Sequence, residues 1–217
     1  MQVVAKLNSL FKKTDNKEND KEETFRFVFG SFFGNQVNYY KFIKAVPNPL
    51  INYIINTIDD NQLSDAYVGI DRGKVEPKTR RSKVYWLPKT NEFLQIYRLF
   101  FELINRANQD FFHFRLSEIV ESIQYTVYNS DELGFYDWHI DMGPEKADRK
   151  LSLVCNLTDP SEYEGGELQL HTGQIIVPER EKGTVIIFPS YILHRVTPVT
   201  KGIRRTLVLW IEGPSFV

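Results

Sequence analysis

The sequence predicts an α+β protein in which helices precede an antiparallel β-sandwich or barrel. Two helical patterns occupy the first half of the chain, and six short strand patterns follow residue 116. Aromatic residues make up 14% of the chain, a content that favours strands and pockets lined by rings. A length of 217 residues suits one domain with a sizeable hydrophobic core.

Residues 1–23 are predicted to be a flexible N-terminal segment. Residues 12–23 contain nine charged side chains of both signs and no apolar residue. Such a stretch cannot bury enough surface to offset the entropy lost on ordering. The single folded domain is expected over residues 24–217, with helical support over 24–115 and the β core over 116–217. Within the support, residues 25–33 and 38–46 are expected to form strands.

Two segments have the period of amphipathic helices. In the first, residues 48–60, one face carries Leu50, Tyr53, Ile54 and Ile58. In the second, residues 90–108, six apolar residues recur with the same period: Phe93, Ile96, Tyr97, Phe100, Leu103 and Ile104. Both helices are expected to pack against a sheet and to carry no chemistry.

After residue 116 the pattern changes to short strands separated by Gly, Pro, Asn and Asp. The predicted strands are residues 122–129, 136–141, 151–157, 166–171, 184–189 and 204–211. Strands at such close spacing, with turn residues between them, predict an all-β sandwich or barrel instead of a parallel sheet.

A His-x-Asp pair stands among aromatic residues in "FYDWHIDMG". Alternate residues of a strand share a face, so His139 and Asp141 are expected to point the same way. His194 follows a Pro189-Ser190 turn, 53 residues after Asp141. Two imidazoles and one carboxylate from two strands match the facial triad of non-haem iron(II). Zinc also accepts these ligands, so the triad alone leaves both metals open.

The next strand carries Arg204 and Thr206 on one face, together with Val208 and Trp210. A guanidinium held on an inward face needs an anionic partner, because an unpaired buried cation is costly. Its fork matches a carboxylate in bidentate fashion. A metal beside a carboxylate clamp favours an iron enzyme with a dicarboxylate co-substrate. Arg205, on the opposite face, is expected to be solvated.

The region from about Arg81 to Trp210 resembles the iron(II)/2-oxoglutarate-dependent dioxygenases, in the prolyl 4-hydroxylase-like branch that includes PKHD-type hydroxylases. The resemblance is carried, in order, by "RRSKVYWL", "IQYTVYN", "GFYDWHIDMG", "RKLSLVCNLTDPSEYEGGEL" and "FPSYILHRVTPVTKGIRRTLVLW". The order and spacing of these motifs are more specific than any one of them. The resemblance implies a double-stranded β-helix, a jelly-roll relative of the cupins.

The resemblance also implies roles for individual residues. The implied iron ligands are His139, Asp141 and His194, and Arg204 would bind the distal carboxylate of 2-oxoglutarate. Tyr128 stands where relatives have a tyrosine that helps to hold this carboxylate, although it fits an ordinary core tyrosine equally well. Asn156 and Thr206 are the further candidates for contact with the co-substrate.

The implied reaction is hydroxylation of a C–H bond, with a prolyl residue of a peptide or protein as the expected substrate. It would use iron(II), 2-oxoglutarate and dioxygen, with ascorbate as an accessory reductant, and would release succinate and carbon dioxide. The same core serves oxidation of other amino acids, small molecules or alkylated bases. A non-catalytic cupin-like metal- or ligand-binding module is the alternative from another class.

Several smaller features complete the expectations. His113 is expected to be partly buried and His171 to face outward, neither as a ligand. Tyr136 is expected opposite His139 if the strand is regular, and at the substrate mouth, as in some of the relatives it resembles, if the strand has a bulge. "YEGGEL" is expected to be scaffolding, with Gly165 and Gly166 allowing a tight turn or close backbone approach.

Charge and composition limit the partners and the compartment. The net charge is −1, so no global field attracts nucleic acid or an anionic membrane. One cysteine, Cys155, an absent signal peptide and no membrane-spanning run predict a cytoplasmic protein, monomeric or homodimeric. The basic stretch 71–83 is expected to be a solvated loop. Its place also matches a loop that closes over a peptide substrate in the hydroxylases it resembles, which implies an acidic or nucleic-acid partner as the alternative.

Overall fold

The computed structural model describes residues 38–67, 76–117, 119, 121–143 and 146–214. The predicted flexible segment 1–23 and the predicted strand 25–33 lie outside the described residues. The first five residues of the basic stretch 71–83 also lie outside them.

Two α-helices are found where the sequence predicts them. Helix α1 is Asn48–Thr57, and helix α2 is Leu94–Ala107, which continues into a π-helical turn at Asn108–Phe112. The predicted face of α1 is wrong at Tyr53, which is 47% exposed, whereas Ile51 is fully buried. The buried face centres on Ile51 and Ile54, three residues apart, so Tyr53 lies at its edge.

Thirteen strands are found among the described residues, and they include all six predicted after residue 116. Before that residue the strands are β1 (Tyr40–Phe42), β2 (Ser64–Asp65), β3 (Arg80–Arg81) and β4 (Lys83–Leu87). After it they are β5 (Ile123–Asn129), β6 (Phe135–His139), β7 (Arg149–Asn156), β8 (Tyr163–Gly165), β9 (Leu168–His171), β10 (Ile175–Ile176), β11 (Val185–Pro189), β12 (Leu193–Val196) and β13 (Val199–Glu212).

The strands form two antiparallel sheets. The large sheet has the order β1-β11-β7-β13-β5-β4-β2, with β8 also paired to β13. The small sheet has the order β10-β9-β12-β6-β3. Strands β1 to β4 extend both sheets, so the segment before residue 116 supplies strands as well as helices.

The two faces of the large sheet have different chemistry. Its outer face carries Tyr125, Val127 and Leu207, which pack with α1 and α2 in the main hydrophobic cluster. The Tyr97 hydroxyl of α2 donates to the Leu87 carbonyl, at 2.7 Å, and accepts from the Ile123 amide, at 2.9 Å. These contacts fix α2 against β4 and β5. Each large apolar side chain buried here stabilises the fold by about 1.5–3 kcal/mol.

The inner face of the large sheet is buried but polar. Gln124, Thr126, Asn156 and Thr206 are each at most 5% exposed, and they face the small sheet. Because alternate strand residues point to opposite faces, β5 and β13 can pack on the helices with one face and line a cavity with the other, through Gln124, Tyr128, Arg204 and Thr206. This cavity between the sheets contains the candidate site.

Cys155 lies in the hydrophobic cluster, as expected for a structural cysteine. Burial raises the pKa of its thiol well above the ordinary value. Among the described helices, none has the length and apolar character needed to cross a membrane.

Candidate metal centre

The three predicted ligands converge at one end of the cavity. His139 ends β6, Asp141 follows it by two residues, and His194 lies on β12 directly opposite His139 in the register. The His194 Nε2 atom lies 3.5 Å from Asp141 Oδ2, and His139 Nε2 lies 3.8 Å from Asp141 Oδ1. One ligand atom from each residue lies within 4.8 Å of the others. One divalent cation can be held by all three.

Backbone carbonyls set the tautomer of both histidines. His139 Nδ1 lies 2.7 Å from the Asp137 carbonyl oxygen, and His194 Nδ1 lies 2.8 Å from that of Ile192. Because a carbonyl only accepts, each Nδ1 carries a proton and donates it. The Nε2 lone pairs then face Asp141 and are available to a metal.

Asp141 is held in its charged form. Burial opposes the charge, but His194 and His139, followed by the Ser152 hydroxyl, lower the pKa of Asp141 below its ordinary value. Ser152 Oγ donates to Asp141 Oδ2, at 2.6 Å, and lies 2.9 Å from Ser190 Oγ. The Asp141 amide donates to the Ser190 carbonyl, at 3.0 Å. The turn after β11 therefore positions both the backbone and the carboxylate of Asp141.

A bulge in β6 brings Tyr136 to the metal end of the cavity. His194 pairs with His139 but Val196 pairs with Tyr136, so three steps on β6 match two on β12. The Tyr136 and His139 rings consequently stack, with centroids 3.5 Å apart and planes 14° apart. The regular-strand expectation for Tyr136 is wrong, because the bulge turns its ring onto that of His139. Burial, followed by the neighbouring His194, lowers the pKa of His139 to about 3, which keeps the imidazole neutral.

Replacing Ser152 with alanine is expected to weaken metal binding by roughly 10–100-fold, because the carboxylate loses its positioning hydrogen bond. Titration of the metal-free protein with Mn²⁺ or iron(II) would measure the change. Ser117→Ala, at an exposed position, is the matched control. Equal affinity in the two variants would show that Ser152 does not position Asp141.

The opposite end of the cavity contains Arg204. This side chain is 2% exposed, and no carboxylate among the described residues lies within ion-pair distance. Its Nη2 atom lies 3.4 Å from Asn156 Oδ1, and its Cζ lies 5.3 Å from the centre of the Tyr128 ring. Tyr128 pairs with Arg204 in the register and lines the cavity, as does Thr206. The guanidinium is therefore buried and able to bind an added anion.

Gly166 leaves space for the Arg204 side chain. Its φ is +60°, and a Cβ atom built there would lie 2.9 Å from Arg204 Cδ and 2.8 Å from Val199 Cγ2. Gly165 also has positive φ, and a Cβ there would lie 2.1 Å from the Pro198 carbonyl oxygen. The predicted close approach of this Gly-Gly pair is confirmed, and Gly166 bears directly on Arg204.

Sequence reasoning missed Arg80 as a cavity residue, and it placed Trp210 on the inward face without giving it a role. Arg80 was assigned to a solvated loop, but it is 7% exposed and lines the cavity on β3. The Trp210 indole N–H is buried and has no hydrogen-bond partner among the described residues. Arg80 alternates along the strand with Ser82 and Val84, which are both buried. This alternation was the signal that could have predicted the burial of Arg80.

The remaining predictions about the histidines and Arg205 have mixed outcomes. His171 faces outward, as predicted. His113 is exposed instead of partly buried, because it ends the π-helical turn in a left-handed conformation with φ of 54°. Arg205 is partly buried beside Tyr125 instead of solvated, since the outer face of β13 is covered.

The donor set fits iron(II). Two imidazoles and one carboxylate are the ligand set of the non-haem iron(II) facial triad, which would leave coordination positions open for co-substrate and dioxygen. The anion-accepting Arg204 in the same cavity is the additional feature that a zinc site does not require.

Comparisons with known proteins point to one superfamily. Residues 123–212 match the family model described as the 2OG-Fe(II) oxygenase superfamily. A PKHD-type hydroxylase of Synechococcus sp. strain CC9311 is 38% identical over 92 residues, which cover 42% of this chain and 42% of that protein. The chain spans between 29% and 53% of the length of eight curated PKHD-type hydroxylases that it matches.

Solved structures confirm the double-stranded β-helix fold. A Pseudomonas putida prolyl-4-hydroxylase has a TM-score of 0.64 at 18% identity, over 82% of this chain and 93% of the other. A Trichoplax adhaerens prolyl hydroxylase, in complex with a hypoxia inducible factor oxygen degradation domain peptide fragment, has a TM-score of 0.69 at 16% identity, over 82% and 84%. Residues 123–212 of this chain are therefore similar to the 2OG-Fe(II) oxygenase superfamily in sequence, and the fold agrees with that match.

Proposed function

We propose that this chain is an iron(II)- and 2-oxoglutarate-dependent dioxygenase that hydroxylates a prolyl residue of a peptide or protein, with release of succinate and carbon dioxide. The observation that carries the proposal is the pairing of two features in one cavity. The His139, Asp141 and His194 ligand atoms converge at one end, and the buried Arg204 lies at the other without a carboxylate among the described residues.

When bound, iron(II) and 2-oxoglutarate would supply the oxidising chemistry that turns a C–H bond into C–OH at the expense of dioxygen. His139, Asp141 and His194 would hold the metal through Nε2, a carboxylate oxygen and Nε2. Arg204 would bind the distal carboxylate of 2-oxoglutarate, with Tyr128 beneath the guanidinium and Asn156 and Thr206 alongside. The hydrogen bonds from Nδ1 of both imidazoles to backbone carbonyls would hold the two rings in place, and neither histidine would need to gain or lose a proton.

The cavity walls would separate the reaction from water. Leu168, Val196 and Val208 line the cavity between the two ends. His194 and Arg204 are 5% and 2% exposed, so their polar groups act in a largely water-free setting where electrostatic interactions are strong. The same walls would place the substrate against the metal end of the cavity. Among the described residues, the ligand atoms of His139, Asp141 and His194 converge only there.

The prolyl substrate is supported by the names of proteins with a similar fold. Two structurally similar proteins are a prolyl-4-hydroxylase and a prolyl hydroxylase with a bound peptide fragment. Their names describe those proteins, and the assignment of a peptide substrate to this chain is a proposal. We also propose a cytoplasmic location, as expected from the sequence.

The experiment that tests the proposal combines two readouts. The protein with iron(II), 2-oxoglutarate, ascorbate and dioxygen is expected to release succinate faster when prolyl-containing peptides are added. Mass spectrometry should then map a gain of one oxygen to a prolyl residue. Oxygen on another residue would correct the substrate and keep the reaction, whereas failure to bind 2-oxoglutarate and to form succinate would refute the proposed activity.

Replacing Gly166 with alanine is expected to weaken 2-oxoglutarate binding about tenfold and to destabilise the fold by about 1–3 kcal/mol, because the new Cβ meets Arg204 at a left-handed position. Gly173→Ala is the matched control, since Gly173 has φ of +91° but a Cβ there meets nothing within 4 Å. Wild-type 2-oxoglutarate affinity in Gly166→Ala, or an equal loss in Gly173→Ala, would contradict the role given to Gly166.

A further inference from the structure

Arg80 is a second buried cation in the cavity, without a counter-charge in the described structure. Its Nε atom donates to Ser82 Oγ, at 2.8 Å, and its Nη2 atom donates to Gln124 Oε1, at 3.0 Å. Both acceptors are neutral, and no described carboxylate lies within ion-pair distance of the guanidinium. A buried charge that lacks a partner is costly, so an anion that binds there would be favoured.

Arg80 lies at the metal end of the cavity. Its Cζ atom is 4.6 Å from the centre of the Tyr136 ring, which stacks on the metal-ligand candidate His139. Gln124, which accepts from Arg80, and Tyr128, which pairs with Arg204, are four residues apart on β5. Four strand residues span roughly 13 Å, so the two arginines serve opposite ends of the cavity.

The groups beside Arg80 are also hydrogen-bond donors. Gln124 Oε1 must face Arg80, because a guanidinium has no acceptor, and it also accepts from Thr126 Oγ1 at 3.1 Å. This fixes the Gln124 amide nitrogen as a donor on a side chain that lines the cavity. The indole N–H of Trp210, on the same lining, is buried without a partner among the described residues. A ligand that satisfies this end must therefore be rich in acceptors.

Charge balance separates this subsite from the co-substrate. The two charges of iron(II) and the one of Arg204 are matched by Asp141 and the two carboxylates of 2-oxoglutarate. Arg80 then remains unmatched. We propose that Arg80, with Gln124 and Trp210, binds a carboxylate of the primary substrate, so that this chain oxidises a C–H bond near an anionic group.

This inference rests on the proposed function and names its substrate class. The carboxylate can belong to a chain end or to an acidic side chain beside the oxidised residue, since both present the same two acceptor oxygens. Arg80 is a specificity-determining residue in this scheme, and Arg204 is the one that binds the co-substrate.

The test measures binding to the protein loaded with iron(II) and 2-oxoglutarate, under nitrogen so that no turnover occurs. Two acids are titrated, each with its neutral isostere: N-acetylglycine against N-acetylglycinamide, for a terminal carboxylate, and N-acetylaspartic acid α-amide against N-acetylasparagine α-amide, for a side-chain carboxylate. At least one acid is expected to bind ten or more times as tightly as its neutral amide. Which acid binds identifies the source of the carboxylate.

Variants show whether Arg80 is responsible. In Arg80→Gln the preference for acid over amide should fall to within twofold, and Arg80→Lys should keep part of it because the charge remains. Lys83→Gln, an exposed charge loss three residues away, should keep the full preference. If Arg80→Gln does not fold, the ratio of acid affinity to amide affinity in the wild type and in Arg80→Lys still tests the proposal.

The outcomes separate this inference from the proposed function. No preference for either acid in the wild type, or a preference that survives in Arg80→Gln, would overturn the carboxylate subsite alone. A wild-type protein that binds no 2-oxoglutarate in the same titrations would refute the proposed function and the subsite that rests on it.

Discussion

Replacing His194 with alanine is expected to abolish succinate formation, with a loss of about 1000-fold or more, because the metal loses one of its three protein ligands. His194 Nε2 lies 3.5 Å from Asp141 Oδ2, and among the described residues the ligand cluster contains only His139, Asp141 and His194, so no further side chain can replace the lost imidazole. The change is measured as iron-dependent succinate release at saturating 2-oxoglutarate, together with iron(II) binding. Both should fall, since turnover depends on the bound metal.

His171→Ala is the matched control for this change. His171 lies on β9 and pairs with Leu193, the residue before His194 on β12, but it faces outward. It should keep wild-type metal binding and turnover. Thermal unfolding of His194→Ala in the metal-free state would show that the fold survives. A folded His194→Ala protein that keeps more than a few per cent of wild-type turnover would rule out His194 as an iron ligand.

The metal ligands could be predicted from the sequence because they depend on local rules. The two-residue spacing predicted that His139 and Asp141 lie close together, and in the structure His139 ends β6 with Asp141 two residues beyond it. A turn before β12 returns His194 to the same end. Arg204 and Thr206 follow from the same alternation on β13. Tyr136 could not be placed, because its direction depends on a bulge that arises only when β6 pairs with β12.

Arg80 shows a different limit of sequence reasoning. In the sequence it stands in a run of six positive and two negative residues, a composition typical of solvated loops. Its burial depends on β3 pairing with β6 and on Gln124 across the cavity, contacts between segments far apart in the chain. Similarly, the outer face of β13 is covered by helices, and this burial of Arg205 cannot be read from alternation alone.

The division of the chain was also only partly predictable. The strands after residue 116 carry strong alternation and turn residues, and all six are found. Strands β2 and β3 contain two residues each, too few for any periodic pattern, yet they extend the sheets at their edges. Asn156 and Thr206 were candidates for contact with the co-substrate, and the structure places both on the buried inner face of the large sheet, with Thr206 lining the cavity.

Replacing Arg204 with glutamine is expected to raise the dissociation constant of 2-oxoglutarate about 100-fold, equivalent to about 2.8 kcal/mol, because a buried charge-assisted contact with the distal carboxylate is lost. Iron(II) binding should change little, since Arg204 lies at the opposite end of the cavity from the ligand cluster. Arg204→Lys should recover part of the affinity through its charge, without the bidentate geometry. Arg205→Gln, which removes the same charge from the outer face of β13, is the matched control.

A second ligand makes the Arg204 prediction specific to the contact. The acid 2-oxopentanoate has the chain length of 2-oxoglutarate with a methyl group in place of the distal carboxylate. The wild type should bind 2-oxoglutarate about 100 times as tightly as 2-oxopentanoate, and Arg204→Gln should bind the two within about threefold of each other, because a double-mutant cycle isolates the pairwise interaction. A general loss of packing would weaken both ligands equally and leave their ratio unchanged. If the ratio in Arg204→Gln stays at the wild-type value, the distal carboxylate lies elsewhere, and Arg80 becomes the residue to examine for it.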